Sequence, residues 1–300
     1  MAFEMELNFF KLKKYLYEIL YILNNFLNPF EFKKNLSNFI NIFFFFKKDI
    51  FKKHFAKEIK KSIVYCYPSF TSTLVVSFFV ISLRIRGYKV IGILHSYNFF
   101  LKKIYSFFGV SDFFYLFSAY KKKKKRHIVL EIEKNSLKNF FYKKVPVGKI
   151  VLSTLMRKYK SSKLSDFKKT EIFDQINLSI NIIDLVEEKL KQIKPKILIT
   201  QDRGYFPEAE IFEIALLLKI KCIEIHMSHR SEFLVFKKYS IKNKSQHFNS
   251  LSKKTMNFIK NKKISYEEKK EFFSELEYCY NSGRWYEEVG TQYQKEKITK

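Results

Sequence analysis

The sequence predicts an α/β fold: a parallel sheet flanked by helices, preceded by a helical extension. Three observations carry this expectation. Apolar runs of strand length, such as SIVYCY (62–67), YKVIGILHS (88–96) and ILIT (197–200), alternate with longer amphipathic stretches. Glycine or proline stands at the joins, at Gly87, Gly109, Pro195 and Pro207. Strand–helix–strand order recurs, first across 62–119 and again across 197–226, and that order marks parallel strands joined by crossover helices.

Residues 1–60 form the predicted extension, helical and rich in aromatic and basic residues. FINIFFFFKKDIFKKHF (39–55) mixes a phenylalanine run with lysine pairs. It reads either as helices packed on the main domain with solvated lysines, or as a membrane-surface contact with phenylalanines on the apolar side. From Ile63 to Leu83, IVYCYPSFTSTLVVSFFVISL carries no charge and is long enough to span a bilayer. Pro68 and the Ser/Thr cluster at 69–73 favour a division into a strand (Ile63–Tyr67), a loop and a buried helix (about Leu74–Arg86), with Gly87 as the stop. YKVIGILHS is the second strand, Phe99–Phe108 a helix closed by Gly109, and SDFFYLFSA (111–119) a third strand. The lysine run at 121–125 is expected in a solvated loop or at a strand edge.

VPVGKIVLSTLMRKYK (145–160) leads into a helix. A long amphipathic helix follows over about Glu171–Ile193, with Ile172, Ile176, Leu178, Ile182, Ile183 and Leu185 on its apolar side and Pro195 at its end. ILIT is a strand, PEAEIFEIALLLK (207–219) a helix with Pro207 near its first turn, and CIEIH (222–226) a strand. Ser250 or Ser252 caps another helix, and the stretch from about Ser265 to Tyr280 is helical, stopped by Asn281-Ser-Gly. The domain expectation is therefore an extension (1–60), one α/β domain (61–264) and a helical, linker-like segment (265–300).

The chain has 57 Lys+Arg against 29 Asp+Glu, a formal +28. Such charge points toward nucleic acid or an anionic membrane. Lys, Asn, Phe, Ile and Tyr are all abundant here and have AT-rich codons, and the lysines are scattered, so the balance also follows from base composition. No specific nucleic acid is expected, and an anionic membrane surface is the favoured charged partner. Cys66, Cys222 and Cys279 are odd in number and widely spaced, which suits neither a disulfide framework nor a metal pattern and fits a reducing cytosol. The N-terminus carries Glu4 and Glu6 before its first lysine, unlike a secretory signal.

Ligands of an open parallel sheet gather at the carboxyl ends of its strands. Asp202, Arg203, Gly204 and Tyr205 follow the strand Ile197–Thr200 and precede a helix N-terminus. Asp202 can accept a proton or hold a hydroxyl, Arg203 can pair with a phosphate or carboxylate, and Gly204 lets backbone approach a ligand. Alternatively, these residues only shape the turn. Beyond His226 lie Ser228, His229, Arg230, Lys237, Lys238, Tyr239, Ser240, Asn243 and His247. His226 and His229 lack a clear acidic partner, so no metal is expected, and a polar sugar pocket is the better reading. No Walker loop, GxGxxG, GxSxG or HExxH is present.

Four segments carry a resemblance: VPVGKIVLSTLMRKYK, similar to a GxxxxSTxxR helix; QDRGYFPEAEIFEIALLLKIKCIEIH (201–226); the stretch Arg230–Lys260; and YNSGRWYEEVGTQYQK (280–295). In this order, over about residues 60–297, they resemble the N-terminal, acceptor-side half of bacterial capsule and surface-polysaccharide glycosyltransferase-like proteins of the GT-B type. Met256 stands where that family usually has Trp. The resemblance implies a Rossmann-like domain, a sugar acceptor, and a second Rossmann domain after Gly290-Thr291-Gln292 that binds a nucleotide sugar as donor substrate. The chain stops at Lys300, so the expectation is either a truncated half or a split one whose donor domain is encoded separately. The resemblance further implies base candidates at Asp202 and His247, positioning of acceptor or phosphate by Arg230, Tyr239 and Asn243, no cofactor and no required metal. It places the protein in the cytoplasm or at the inner face of the cytoplasmic membrane. Two other expectations stay open: a non-catalytic basic module binding anionic lipid or nucleic acid, and an inactive remnant with an apolar surface exposed near Trp285.

Overall fold

The computed structural model describes residues 59–67, 70–117, 137–227 and 234–282. Residues 1–58, the lysine run at 121–125, Ser228, His229, Arg230 and the segment holding Trp285 and Gly290–Gln292 lie outside the described residues. The fold is α/β and Rossmann-like, with mostly parallel strands alternating with helices. The chain divides into two compact units, Met1–Lys121 and Lys122–Lys300.

The first unit runs β1 (Lys60–Tyr65), α1 (Phe70–Ile85), β2 (Tyr88–Leu94), α2 (Phe99–Phe107), β3 (Val110–Tyr115). Its strands lie in the order β3-β2-β1, all parallel. Ile63, Val64, Val90 and Ile93 are fully buried, as parallel strands covered on both faces require. Gly109, between α2 and β3, has φ +106, a conformation that side chains other than glycine's rarely allow. Helix α1 begins at Phe70 and takes in most of the Ser/Thr cluster expected as loop. The reason is local: the Thr73 hydroxyl donates to the Tyr67 carbonyl (2.9 Å), so a short polar side chain ties the first turn to the end of β1. The uncharged run 63–83 is thus split between β1 and α1. Among the described residues no helix is long and apolar enough to cross a membrane.

The second unit holds a 3-10 turn (Leu137–Asn139), α3 (Val147–Tyr159), α4 (Lys169–Ile193), β4 (Ile197–Thr200), α5 (Glu208–Leu217), β5 (Lys221–Met227), β6 (Leu234–Tyr239), α6 (Lys253–Asn261) and α7 (Tyr266–Ser282). A further 3-10 turn spans Leu164–Asp166. Its strands lie in the order β4-β5-β6, the first pair parallel and the second antiparallel. Ile176, Ile180, Ile183 and Leu190 recur on one side of α4 and are buried where it packs on α3 and α5. Lys194 adopts a left-handed cap before Pro195 and ends the helix. Ser252 caps α6 by accepting the Thr255 N–H, and α7 continues through Asn281 and Ser282.

Strand β6 adds an element at Leu234–Tyr239, where the sequence reading assigned none. Its pairing with β5, from Cys222↔Tyr239 to Met227↔Leu234, is what makes it a strand. Lys237 and Lys238 suit a sheet edge, where charge blocks further strand addition. Cys66 and Cys222 are buried free thiols in the core, and burial pushes both thiols well up.

Candidate functional site

The site is built where α3 meets the loop after β4. Thr200 ends the strand, and its hydroxyl donates to the Asp202 carbonyl (2.7 Å). Asp202 Oδ1 accepts the Gly204 N–H (2.8 Å), so this side chain does shape the turn. Its other oxygen, Oδ2, lies 3.3 Å from Arg157 Nη1 on α3. The Arg157 guanidinium sits over the Tyr205 ring, 4.3 Å from the centroid. One turn earlier on α3, Thr154 Oγ1 accepts the Phe206 N–H (2.9 Å). Thr154 and Arg157 are three apart and share a helix face, so one helix grips both sides of the loop.

Ser153, Met156, Arg157 and Lys160 follow at i, i+3, i+4 and i+7, and with Ser161, Ser162 and Tyr205 they line a shallow cavity of ≈ 550 Å³, broadly open to solvent. The lining offers hydroxyls, two cations and an aromatic ring, with no carboxylate among its residues. Gly148 seats α3: a Cβ there would lie 1.6 Å from the Leu137 carbonyl oxygen. A Cβ on Gly204 would meet only Asp202 Oδ1, at 3.6 Å, so backbone there is open to a ligand.

Arg203 turns the other way. Its Nε donates to Glu224 Oε2 (2.9 Å) on β5, Nη1 to the Lys244 carbonyl (2.8 Å) and Nη2 to the Gln246 carbonyl (2.6 Å). Its guanidinium covers the Tyr239 ring at 4.5 Å. The carboxylate that Arg203 finds is thus the protein's own, and its role is to clip the 244–246 turn to the sheet. Burial alone would raise the Glu224 carboxyl; His226 and Arg203 more than offset it and hold it below the ordinary range.

Tyr239 is buried on β6, packs edge-on against Phe212 and donates its hydroxyl to the Gln246 carbonyl (3.3 Å). Burial first, then the Glu224 carboxylate, pushes its phenol to about 12. Asn243 accepts the Ser240 N–H (2.7 Å) and donates to the Lys238 carbonyl (3.1 Å), closing the turn after β6. Both residues do structural work where sequence reasoning assigned them to acceptor or phosphate. His247 accepts the Asn249 N–H at Nδ1 (3.3 Å) and tilts against Phe248. Asp202 and His247 stand on different loops, linked through Arg203. Arg230 lies outside the described residues.

Sequence reasoning singled out neither Arg157, Ser153 and Lys160 as site residues nor the acids of α5. The i, i+4, i+7 spacing of Ser153, Arg157 and Lys160 was the available signal. Glu208 opens α5; burial pushes its carboxyl to about 8, with Asp202 and Glu210 adding to the rise and Arg157 opposing it. Glu210 is fully buried, 2.5 Å from the Ser179 hydroxyl, and burial pushes it to about 7. Both carboxyls keep a proton in the fold at pH values where the unfolded chain has lost it. The folded state then binds more protons between about pH 4.5 and pH 7–8, so stability falls as pH rises through that window. For Glu210, the rise from 4.5 to about 7 corresponds to roughly 3 kcal/mol. The urea midpoint is expected to be lower at about pH 8.5 than at about pH 5.5, with the slope flattened in Glu210→Gln. A midpoint that climbs across this range contradicts the assignment.

Among the described residues no group of three or more His, Cys, Asp or Glu is placed to hold a metal ion. Comparison with protein-family models, curated proteins and solved structures finds no match. The functional reading therefore rests on the site's own geometry and chemistry.

Proposed function

We propose that this chain is the acceptor-binding half of a glycosyltransferase-like protein of bacterial surface-polysaccharide biosynthesis, with a sugar acceptor bound in the α3 cavity. The observation that carries the reading is Arg157, which joins the GxxxxSTxxR helix to the Asp202–Tyr205 loop beside that cavity. Hydroxyls, a guanidinium and an aromatic ring are the groups that recognise a sugar's vicinal hydroxyls and apolar face. The reaction is attack of an acceptor hydroxyl on the anomeric carbon of a nucleotide sugar, with departure of the nucleoside diphosphate and transfer of the hydroxyl proton to a base. Asp202 is the better of the two base candidates, because Arg157 ties it to the cavity while His247 uses Nδ1 within its own turn. The donor and its diphosphate belong to a donor-side domain, which the described residues do not include. No cofactor enters this scheme, and cations and helix dipoles stabilise the leaving group.

Saturation-transfer NMR with methyl glycosides of glucose, galactose, N-acetylglucosamine and glucuronic acid tests acceptor binding. Transfer to at least one glycoside is expected. Arg157→Ala is expected to weaken it tenfold or more, as loss of about 1.5–3 kcal/mol of charge-assisted hydrogen bonding implies. The same variant should melt like the parent, because Arg157 is 63% exposed and its ion pair with Asp202 adds little stability. Absence of transfer from all four glycosides, or transfer indifferent to Arg157, removes the support for this reading.

A further inference from the structure

We propose that α6 docks on an anionic lipid surface. This inference is independent of the sugar-binding reading. The helix buries none of its residues. At 100° per residue, Thr255, Met256, Phe258 and Ile259 fall on one arc, and Lys253, Lys254, Asn257, Lys260 and Asn261 on the opposite one. The apolar arc is open: Phe258 is 68% exposed, and Met256, Ile259 and the preceding Leu251 are exposed as well.

Charge selects the occupant. From Ser252 to Lys263 the chain has five lysines and no Asp or Glu. Lys262 is paired with Glu268 (2.6 Å), and Lys253, Lys254, Lys260 and Lys263 are exposed. An apolar strip bordered only by cations fits a bilayer with negative headgroups: the apolar side chains enter the acyl boundary while the ammonium groups stay among the phosphates. The neighbouring helix sharpens the contrast. Helix α7 also exposes Phe272, Phe273 and Leu276, but it carries Glu267, Glu268, Glu271, Glu275 and Glu277 against Lys269 and Lys270. Its charge turns it away from such a surface. The lipid-facing element is thus α6, a segment distinct from the phenylalanine–lysine stretch at 39–55.

A basic chain can adhere to vesicles elsewhere, so the test must report from α6 itself. The full chain carries Met256→Cys in a Cys279→Ser background, labelled with an environment-sensitive nitrobenzoxadiazole probe; Cys66 and Cys222 are buried and leave the label to position 256. The expected result is a blue shift on adding phosphatidylglycerol–phosphatidylcholine vesicles and no comparable shift with phosphatidylcholine alone. Lys253→Gln, Lys254→Gln and Lys260→Gln together should weaken this response roughly 100-fold, because each lysine near an anionic surface contributes about a factor of five. Lys253, Lys254, Met256 and Lys260 are exposed, so loss of folding does not confound the effect of these substitutions. Vesicle binding with a silent probe, equal shifts on neutral and anionic vesicles, or a probe already blue-shifted without lipid would each overturn the proposal.

Discussion

Gly148→Ala is expected to destabilise the fold by about 3 kcal/mol or more. The added methyl would sit 1.6 Å from the Leu137 carbonyl oxygen and 2.8 Å from its carbon. The obstacle is backbone, so no side-chain rotation relieves it. The Gly148 N–H also donates to the Phe140 carbonyl (2.9 Å), which holds the two segments together at that point. Either the 137–140 turn or the start of α3 must move. Because α3 also carries Thr154 and Arg157, the same displacement should loosen the loop at Asp202 and Tyr205 and weaken acceptor binding. Urea denaturation measures the first effect and glycoside binding the second. Lys149→Ala, one residue on and exposed, serves as control and should stay within about 0.5 kcal/mol. Parent-like stability in Gly148→Ala would mean that this close approach does not exist in solution.

Arg203→Ala is expected to cost about 3–5 kcal/mol. Glu224 is 4% exposed, and the substitution removes the guanidinium beside it. It also removes the donor to the Lys244 carbonyl, leaves the Gln246 carbonyl with the Tyr239 hydroxyl, and uncovers the Tyr239 ring. Removing the guanidinium from a buried carboxylate is the expensive step, even with the His226 imidazole 2.9 Å from its other oxygen; the pair itself need not be stabilising. The double variant Arg203→Met/Glu224→Gln should therefore recover much of the loss. Chemical denaturation of the two proteins decides the matter, and a cost below about 1 kcal/mol for Arg203→Ala would show that Glu224 is satisfied by other groups.

Much of the fold was legible because its signals are local. Buried parallel strands announce themselves as uninterrupted apolar runs, and β1, β2, β4 and β5 lie where such runs were read. The period of α4 and the stops at Gly87, Gly109 and Pro195 are equally local, as is the Ser252 cap. Strand β6 was not legible, because only pairing with β5 distinguishes LVFKKY from a polar loop. The Ser/Thr cluster was misread as loop because its role depends on Tyr67, in the connection just after β1.

The site divides along the same line. The sequence alone placed Asp202, Arg203, Gly204 and Tyr205 at the carboxyl end of a strand, since strand and helix signals on either side bracket them. It also set Ser153 and Arg157 on a single face of α3. Which way each side chain points was decided by partners distant along the chain: Arg157 for Asp202, 45 residues away, and Glu224 for Arg203, 21 away. A charged loop residue looks the same in sequence whether it faces solvent, ligand or a buried carboxylate. Only folding brings Glu224 beneath Arg203 and seals Tyr239 under its guanidinium, because burying a carboxylate demands a nearby cation and the tertiary contacts determine which one supplies it.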